Sequence, residues 1–501
     1  MSQTIAAKAP TKQSATTDQK TAEPFDIHYH YRALLDEIGM SPEDTGGKTT
    51  FLGDDPIFES VHRIGACISI PIMAAAAGAA TIWRMRTGRG QDLTVDLRKA
   101  IHGVNPCYKF KPTINGYAYQ WPWLWAHGNP MAFDLYLTKD GRSVLPTGAY
   151  PHMVYQWCRL LRCAPDKPSL ATAILKWDAQ DLDDAAAENN MVFALCRSRE
   201  EWARHPQGEL LASKPLIEIE KIGDSEPEPF GPADRPLSGI RVLGATHVIA
   251  GSVVSRTLAE QGAEVLKLEH PQDFEHEIFT SDPTVGQRSA WLDLKSPEGN
   301  KRGHELAKGA DVFVDSFRGR GLANMGFSPQ ELAARRPGTI YCSVRCYGYD
   351  GPWANRGGFD MEALCVAGFT FVEGTPDRPK FPPTYVMNDF IAGYLGAAGV
   401  TAALIRRARE GGSYHVKICL TRNAMWYPTL GVFDRNNLDF TGEQHQLLPP
   451  DTITRQTGYG ELYRLAPAAQ FSETPGHWED PILNVRGSSK PEWLARPAGK
   501  K

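Results

Sequence analysis

Five hundred and one residues, 42% of them apolar and 22% charged, describe a globular chain of two or three domains with ample material for a core. Fifty-four basic against 58 acidic residues give a net charge of −4, which favours neither nucleic acid nor an anionic membrane surface as a partner. No uninterrupted run of about 18 apolar residues occurs, so no membrane span is expected.

The opening MSQTIAAKAPTKQSATTDQK has no apolar signal core and no Arg, and the closing Ala-Gly-Lys-Lys is not a peroxisomal address. Nine cysteines, without a Cys-x-x-Cys pair, read as reduced thiols. Together these features lead to the expectation of a cytoplasmic protein. Residues 1–24, rich in Lys, Thr, Ser, Ala and Gln, are expected to form a disordered tail.

Globular patterning starts near Phe25. His28 and His30 in HYHY have no third ligand nearby, and such pairs more often decorate a surface than hold a metal, so no metal is expected. A small-residue helix (AAAAGAATIW, 74–83) runs through a basic last turn and a Gly stop into a strand of alternating polarity, DLTVDL. WPWLW (121–125) reads as a core anchor of the first half. GDSEPEPFGPADRP (223–236) holds four Pro and four acidic residues, so it is a linker between an N-terminal half (25–222) and a C-terminal half. The catalytic domain is expected over 237–430, with an extension (431–501) packing back on the core.

The two halves echo one another. WRMRTGRGQDLTVDL (83–97) matches RRAREGGSYHVKICL (406–420) when Leu97 is laid on Leu420, each following a small-residue helix. GELLASKP (208–215) matches GELYRLAP (460–467) at a shorter separation, which gives the first copy about 70 extra residues, placed within 117–190. Duplication is the reading that follows.

From Leu237 strands and helices alternate: IRVLGAT, the helix SVVSRTLAEQG, AEVLKLE, AWLDLK, the Ser-capped helix SPEGNKRGHELAKG, DVFVDSF, the capped helix SPQELAARR and TIYCSVR. This spacing implies βαβ units, hence an α/β protein with a Rossmann-like parallel sheet, flanking helices and a smaller α+β region. The first βα turn, GATHVIAGS, lacks G-x-G-x-x-G, and the glycines of RGRGLANMG (318–326) follow the wrong strand with the wrong spacing, which argues against NAD. Neither a P-loop nor a G-x-S-x-G elbow occurs.

PLSGIRVLGATHVIAG (236–251), GAEVLKLEHP (262–271), LDLKSPEG (292–299), ADVFVDSFRG (310–319), MGFSPQEL (325–332) and IYCSVRCYGYDGPWANRGGFD (340–360) follow in order and resemble the family III coenzyme A transferases. That group includes formyl-CoA and carnitine-CoA transferases and α-methylacyl-CoA racemase. TGRGQDLTVDL in the first half resembles a later part of the same family's chain, so the N-terminal half reads as a degenerate copy. The resemblance implies an acyl-CoA:carboxylate CoA-transferase, with acyl-CoA and carboxylic acid as substrates and no tightly bound cofactor. Family members form interlocked dimers, so either a homodimer or a pseudo-dimer within one chain is implied.

It also implies a nucleophilic aspartate at the start of a small-residue helix. VMNDFIAGYLGAAGVTAAL (386–404) assigns that role to Asp389, with the family's Gly four residues on at Gly393. Locally, Asp before a helix is most simply a cap, but the same helix end also favours a carboxylate able to attack a thioester. In the first copy the matching residue is Ala66, which leaves one nucleophile per chain.

For CoA the resemblance points to Ala250, His270, Leu292, Lys295, Phe317, Asn324 and Arg345; Asp360, Tyr347 and the 370–385 loop are the candidates for the acceptor pocket. His270 and Asn324 stand where compared relatives have arginines, and Ile249 replaces a glutamine. The family's glycine-rich lid is also missing. Racemases of this fold pair the aspartate with a histidine at the position of Phe359, which cannot exchange a proton, so transfer is favoured over racemisation. A non-catalytic CoA-binding partner is the third reading.

Overall fold

The computed structural model describes residues 25–106, 109–118 and 129–495. The tail 1–24 and the WPWLW segment lie outside them. At the centre is a seven-stranded sheet formed by β1 (Ile217–Gly223), β2 (Arg241–Ala245), β3 (Glu264–Glu269), β4 (Arg288–Trp291), β5 (Val312–Asp315), β6 (Ile340–Arg345) and β7 (Ser413–Cys419). Their order is β4-β3-β2-β5-β6-β7-β1. Six strands run parallel, and β1 closes the edge antiparallel to β7. Beginning at β2, the chain builds outward to β3 and β4, then returns to β5 on the other side. The order therefore reverses between β2 and β5, and a crevice opens beyond their carboxyl ends.

The crossover helices form where local chemistry asks for them. Helix α2 (Ala250–Glu260) follows β2, while α3 (Pro297–Lys308) and α4 (Pro329–Arg335) each start with Pro behind a capping Ser. Ser296 accepts from the Gly299 N–H, and Ser328 and Glu331 form a reciprocal capping box. One expected strand is shifted. AWLDLK pairs only as far as Trp291, because the Asp293 carboxylate accepts the Lys295 N–H and turns the chain toward α3.

Two long helices form the core. α1 (Ile64–Thr87) and α6 (Asn388–Glu410) pack on each other, and α6 also packs on α2 and the sheet. Both are long and apolar enough to cross a membrane, yet their apolar stretches are wholly buried within the protein. A helix apolar all round needs neighbours all round, and small residues let them approach. A Cβ on Gly393 would lie 2.4 Å from Val253 Cγ1, one on Gly396 2.5 Å from Val254 Cγ2, and one on Gly78 1.9 Å from Thr401 Oγ1.

A shorter helix, α5 (Asp360–Val366), starts close to the start of α6. The remainder of the chain interleaves. Strand 93–96 pairs with 49–52 on one side and 469–471 on the other, and strands 113–114 and 117–118 share a sheet with 452–457 and 460–465. Residues 131–195 hold a separate apolar cluster around Trp157. The stretch after β1 is strapped to the sheet, since Arg336 and Arg407 both reach Glu228 and Asp311. The order helix, strand, short helix over 64–100 repeats over 388–426, but strand 93–96 joins a small sheet and not the central one.

Close contact between α6 and α2 is testable. Gly393→Ala should destabilise the protein by about 1–3 kcal/mol through overpacking against Val253. In denaturant titrations the Gly393→Ala/Val253→Ala double variant should recover part of that loss.

Candidate active site

Beyond the carboxyl ends of β2, β5 and β6 lies a cavity of about 610 Å³. His247–Ala250 follow β2, Ser316–Arg318 follow β5, and Val344–Cys346 end β6; all contribute to its wall. The N-terminal half supplies the facing wall with Tyr150, Met153, Gln156, Asn190 and Val192. Neither half encloses the space alone.

Asp389, in the first turn of α6, lines this cavity and is 7% exposed. Its own N–H donates to Asp360 Oδ2 at 2.8 Å, as the Met387 N–H does at 3.0 Å. Asp360 therefore performs the capping that the sequence allowed for Asp389, which leaves the Asp389 carboxyl available to the cavity. The first half contains the same device. Asp55 accepts the N–H groups of Gly65 and Ala66 at 2.9 and 2.8 Å, but Ala66 has no carboxyl to present.

Asp389 is electrostatically unusual. Burial and the neighbouring charges of Asp360 and Glu362 hold its pKa well above the ordinary carboxyl value. Burial also lifts Asp360 to about 7, against the lowering effect of the helix N–H groups it accepts. Glu362 is raised by burial as well, and its oxygens meet Thr147 Oγ1 and the Phe359 N–H. Three carboxyls thus share one buried region.

Of the residues expected to hold CoA, Ala250, Phe317 and Arg345 line the cavity. Arg345 is already engaged, however: its Nη2 meets Asp315 Oδ2 at 2.5 Å and Nη1 donates to Val344 O. His270, Leu292, Lys295 and Asn324 are not on the wall. His270 lies between Asp273 and Asp293, Leu292 packs on the core beside β3, and Lys295 and Asn324 are exposed beyond the rim.

Both residues expected at the acceptor pocket need correction. Asp360 is buried beneath Asp389, where it holds the start of α6. Tyr347 is fully buried against Trp353, with its hydroxyl unpartnered. Neither lines the cavity.

Sequence reasoning missed Arg318, an exposed wall residue whose Nη1 donates to Asn190 O. The Phe-Arg turn after β5 carried the signal, but only Phe317 was taken from it. Also missed was His247, whose Nε2 lies 3.0 Å from Glu275 Oε2 while Tyr150 donates to the other Glu275 oxygen at 2.8 Å. Burial alone would raise Glu275, but the hydrogen bonds and charge of His247 and the bond from Tyr150 hold it below its usual value. That contact joins residues far apart in sequence.

The profile of CoA-transferase family III matches residues 237–453. This segment is similar to that family. Among its relatives is the acetyl-coenzyme A transferase nodX of Hypoxylon pulicicidum, 28% identical over 278 residues, covering 52% of this chain and 47% of the relative. A succinate–glutarate CoA-transferase of Agrobacterium fabrum is 32% identical over 203 residues, covering 37% and 51%. The chain spans about half the length of these curated relatives. A solved family protein from Brucella suis is 30% identical with a TM-score of 0.36, covering 39% of this chain and 56% of that one. The family segment contains Asp389 and Asp360, whereas Tyr150–Gln156, Asn190 and Val192 lie before it.

The shared burial of the two aspartates has a measurable consequence. In ¹³C-aspartate NMR, protons should leave the Asp360/Asp389 pair well above the ordinary aspartate range, with one step near pH 7. Asp360→Asn removes a neighbouring negative charge. The Asp389 titration should therefore move to lower pH.

Proposed function

We propose that the protein transfers coenzyme A from an acyl-CoA thioester to a carboxylic acid, with Asp389 as the nucleophile. The observation that carries this reading is the Asp389 carboxyl, held at the mouth of α6 on the wall of the interdomain cavity within a family III segment. In the attack, an Asp389 oxygen bonds to the acyl carbon and the C–S bond breaks, leaving a mixed anhydride and the CoA thiolate. The thiolate then attacks the aspartyl carbonyl, releasing the donor carboxylate and forming an aspartyl-CoA thioester. An incoming carboxylate reverses both steps, leaving with CoA and restoring Asp389.

The buried setting suits this chemistry. Acylation neutralises Asp389, so it removes a charge that the neighbouring Asp360 and Glu362 disfavour. The attacking form is the ionised one, so acylation should speed up as pH rises through the raised titration of the pair. Arg318, exposed at the rim, is placed to meet a CoA phosphate.

The packing of α1 on α6 supports a pseudo-dimer within one chain, in which the N-terminal half closes the cavity of the C-terminal half. The cysteines support a reducing, cytoplasmic setting, since the eight described ones are all free thiols.

One observation favours a second reading. His247, paired with Glu275, is a proton-transfer group in the Asp389 cavity, where Phe359 cannot serve. This would suit α-proton exchange on an acyl-CoA.

Mass spectrometry separates the readings. Incubation with an acyl-CoA should leave an acyl or CoA adduct on Asp389, and Asp389→Asn should lower transfer by at least about a thousandfold. Deuterium uptake at the α-carbon without any adduct would favour the second reading. Arg318→Ala should raise the KM for acyl-CoA about tenfold with little change in kcat, as loss of one charge-assisted contact predicts.

A further inference from the structure

We propose that the acyl group handled at this site is apolar and carries a single carboxylate, the reacting one. The inference rests on the transferase reading and specifies its substrate class.

The immediate surroundings of Asp389 carry the argument. Cavity residues that approach it through its helix and supporting loops are Ile249, Ala250, Cys346, Phe359, Leu420 and Tyr150. Ala250 lies under Gly393, one turn along α6. The Leu420 carbonyl accepts the Asn388 side-chain amide, and Phe359 immediately precedes the Asp360 that holds the Asp389 N–H. The Cys346 thiol rests 3.6 Å from the Phe359 carbonyl, and burial pushes its pKa up, so it stays neutral. The one hydroxyl in the group, on Tyr150, is already given to Glu275.

Three cationic groups of the same wall are committed elsewhere, while His152 and Arg318 are exposed. Arg345 is bonded to Asp315, Arg356 to Asp183, and His247 to Glu275. Among the described residues of the wall, Arg318 is the guanidinium without a carboxylate partner, and it stands at the exposed rim. The groups that chiefly act on Asp389 are the carboxyls of Asp360 and Glu362, so no positive charge stands beside it. A second substrate carboxylate drawn in beside Asp389 would be buried without a cationic partner there. An alkyl or aromatic chain meets no such obstacle, and Tyr150, Phe317 and Phe359 offer it rings.

The test uses the full-length protein with hexanoyl-CoA and benzoyl-CoA as donors. Hexanoate, benzoate, succinate and glutarate serve as acceptors, and product thioesters are resolved by chromatography. Monocarboxylate kcat/KM should exceed that for succinate or glutarate on the order of a hundredfold, the scale set by an unpaired buried charge. Succinate or glutarate used as well as hexanoate would overturn the substrate assignment while leaving the transferase reading in place. No transfer with any pair, together with no adduct on Asp389, would overturn both.

A variant probes the cause. Asp315→Asn keeps the shape of the Arg345 partner but releases the guanidinium charge into the cavity, so the monocarboxylate preference should narrow about tenfold. A folded Asp315→Asn protein with an unchanged ratio would show that engaged cations do not set the selection.

Discussion

Three carboxyls buried together at the start of one helix dominate this molecule. Asp389, Asp360 and Glu362 have no guanidinium or ammonium among the charges that chiefly shift Asp389, so helix N–H groups must supply what positive potential there is. Asp360 takes those N–H groups, and that division of labour separates a carboxyl that holds the helix from one that faces the cavity. A fold can sustain such an arrangement only if the surrounding packing is rigid. The glycine contacts of α6 with α2 and of α1 with α6 provide it, because side chains seated directly on the glycines leave little room for the helices to shift.

The two halves of the chain are interdependent for the same reason. A parallel sheet with a switch point creates a crevice, not an enclosure. Enclosure comes from Tyr150, Met153 and Val192, carried on the segment with its own core around Trp157. That wall leaves the Asp389 carboxyl only slightly exposed. Asp55, holding the N-terminus of α1, shows the same helix-end device in the first half, where Ala66 has no carboxyl.

Several elements could be read directly from residue order. The β2–β6 run, the Ser caps at 296 and 328, and the Gly-rich character of α6 all depend on neighbours within a few positions. β1 was legible but missed: LIEIEKIG alternates apolar and polar residues, while its antiparallel place beside β7 came only from the fold. Tyr347 and Asp360 looked like substrate contacts, but which way a side chain faces is set by what packs on it. Trp353 covers Tyr347 and α6 covers Asp360. Arg345 looked like a free phosphate ligand until the fold brought Asp315 to it across 30 positions.

From residue order alone came the α/β class, the parallel sheet and the family resemblance, because each rests on local periodicity, capping or an ordered string of motifs. Tertiary structure alone decided which carboxyl caps and which one faces the cavity, that the N-terminal half forms a wall of the site, and which cations remain unengaged. Those outcomes are contacts between distant segments, and burial and charge pairing exist only once the chain has folded.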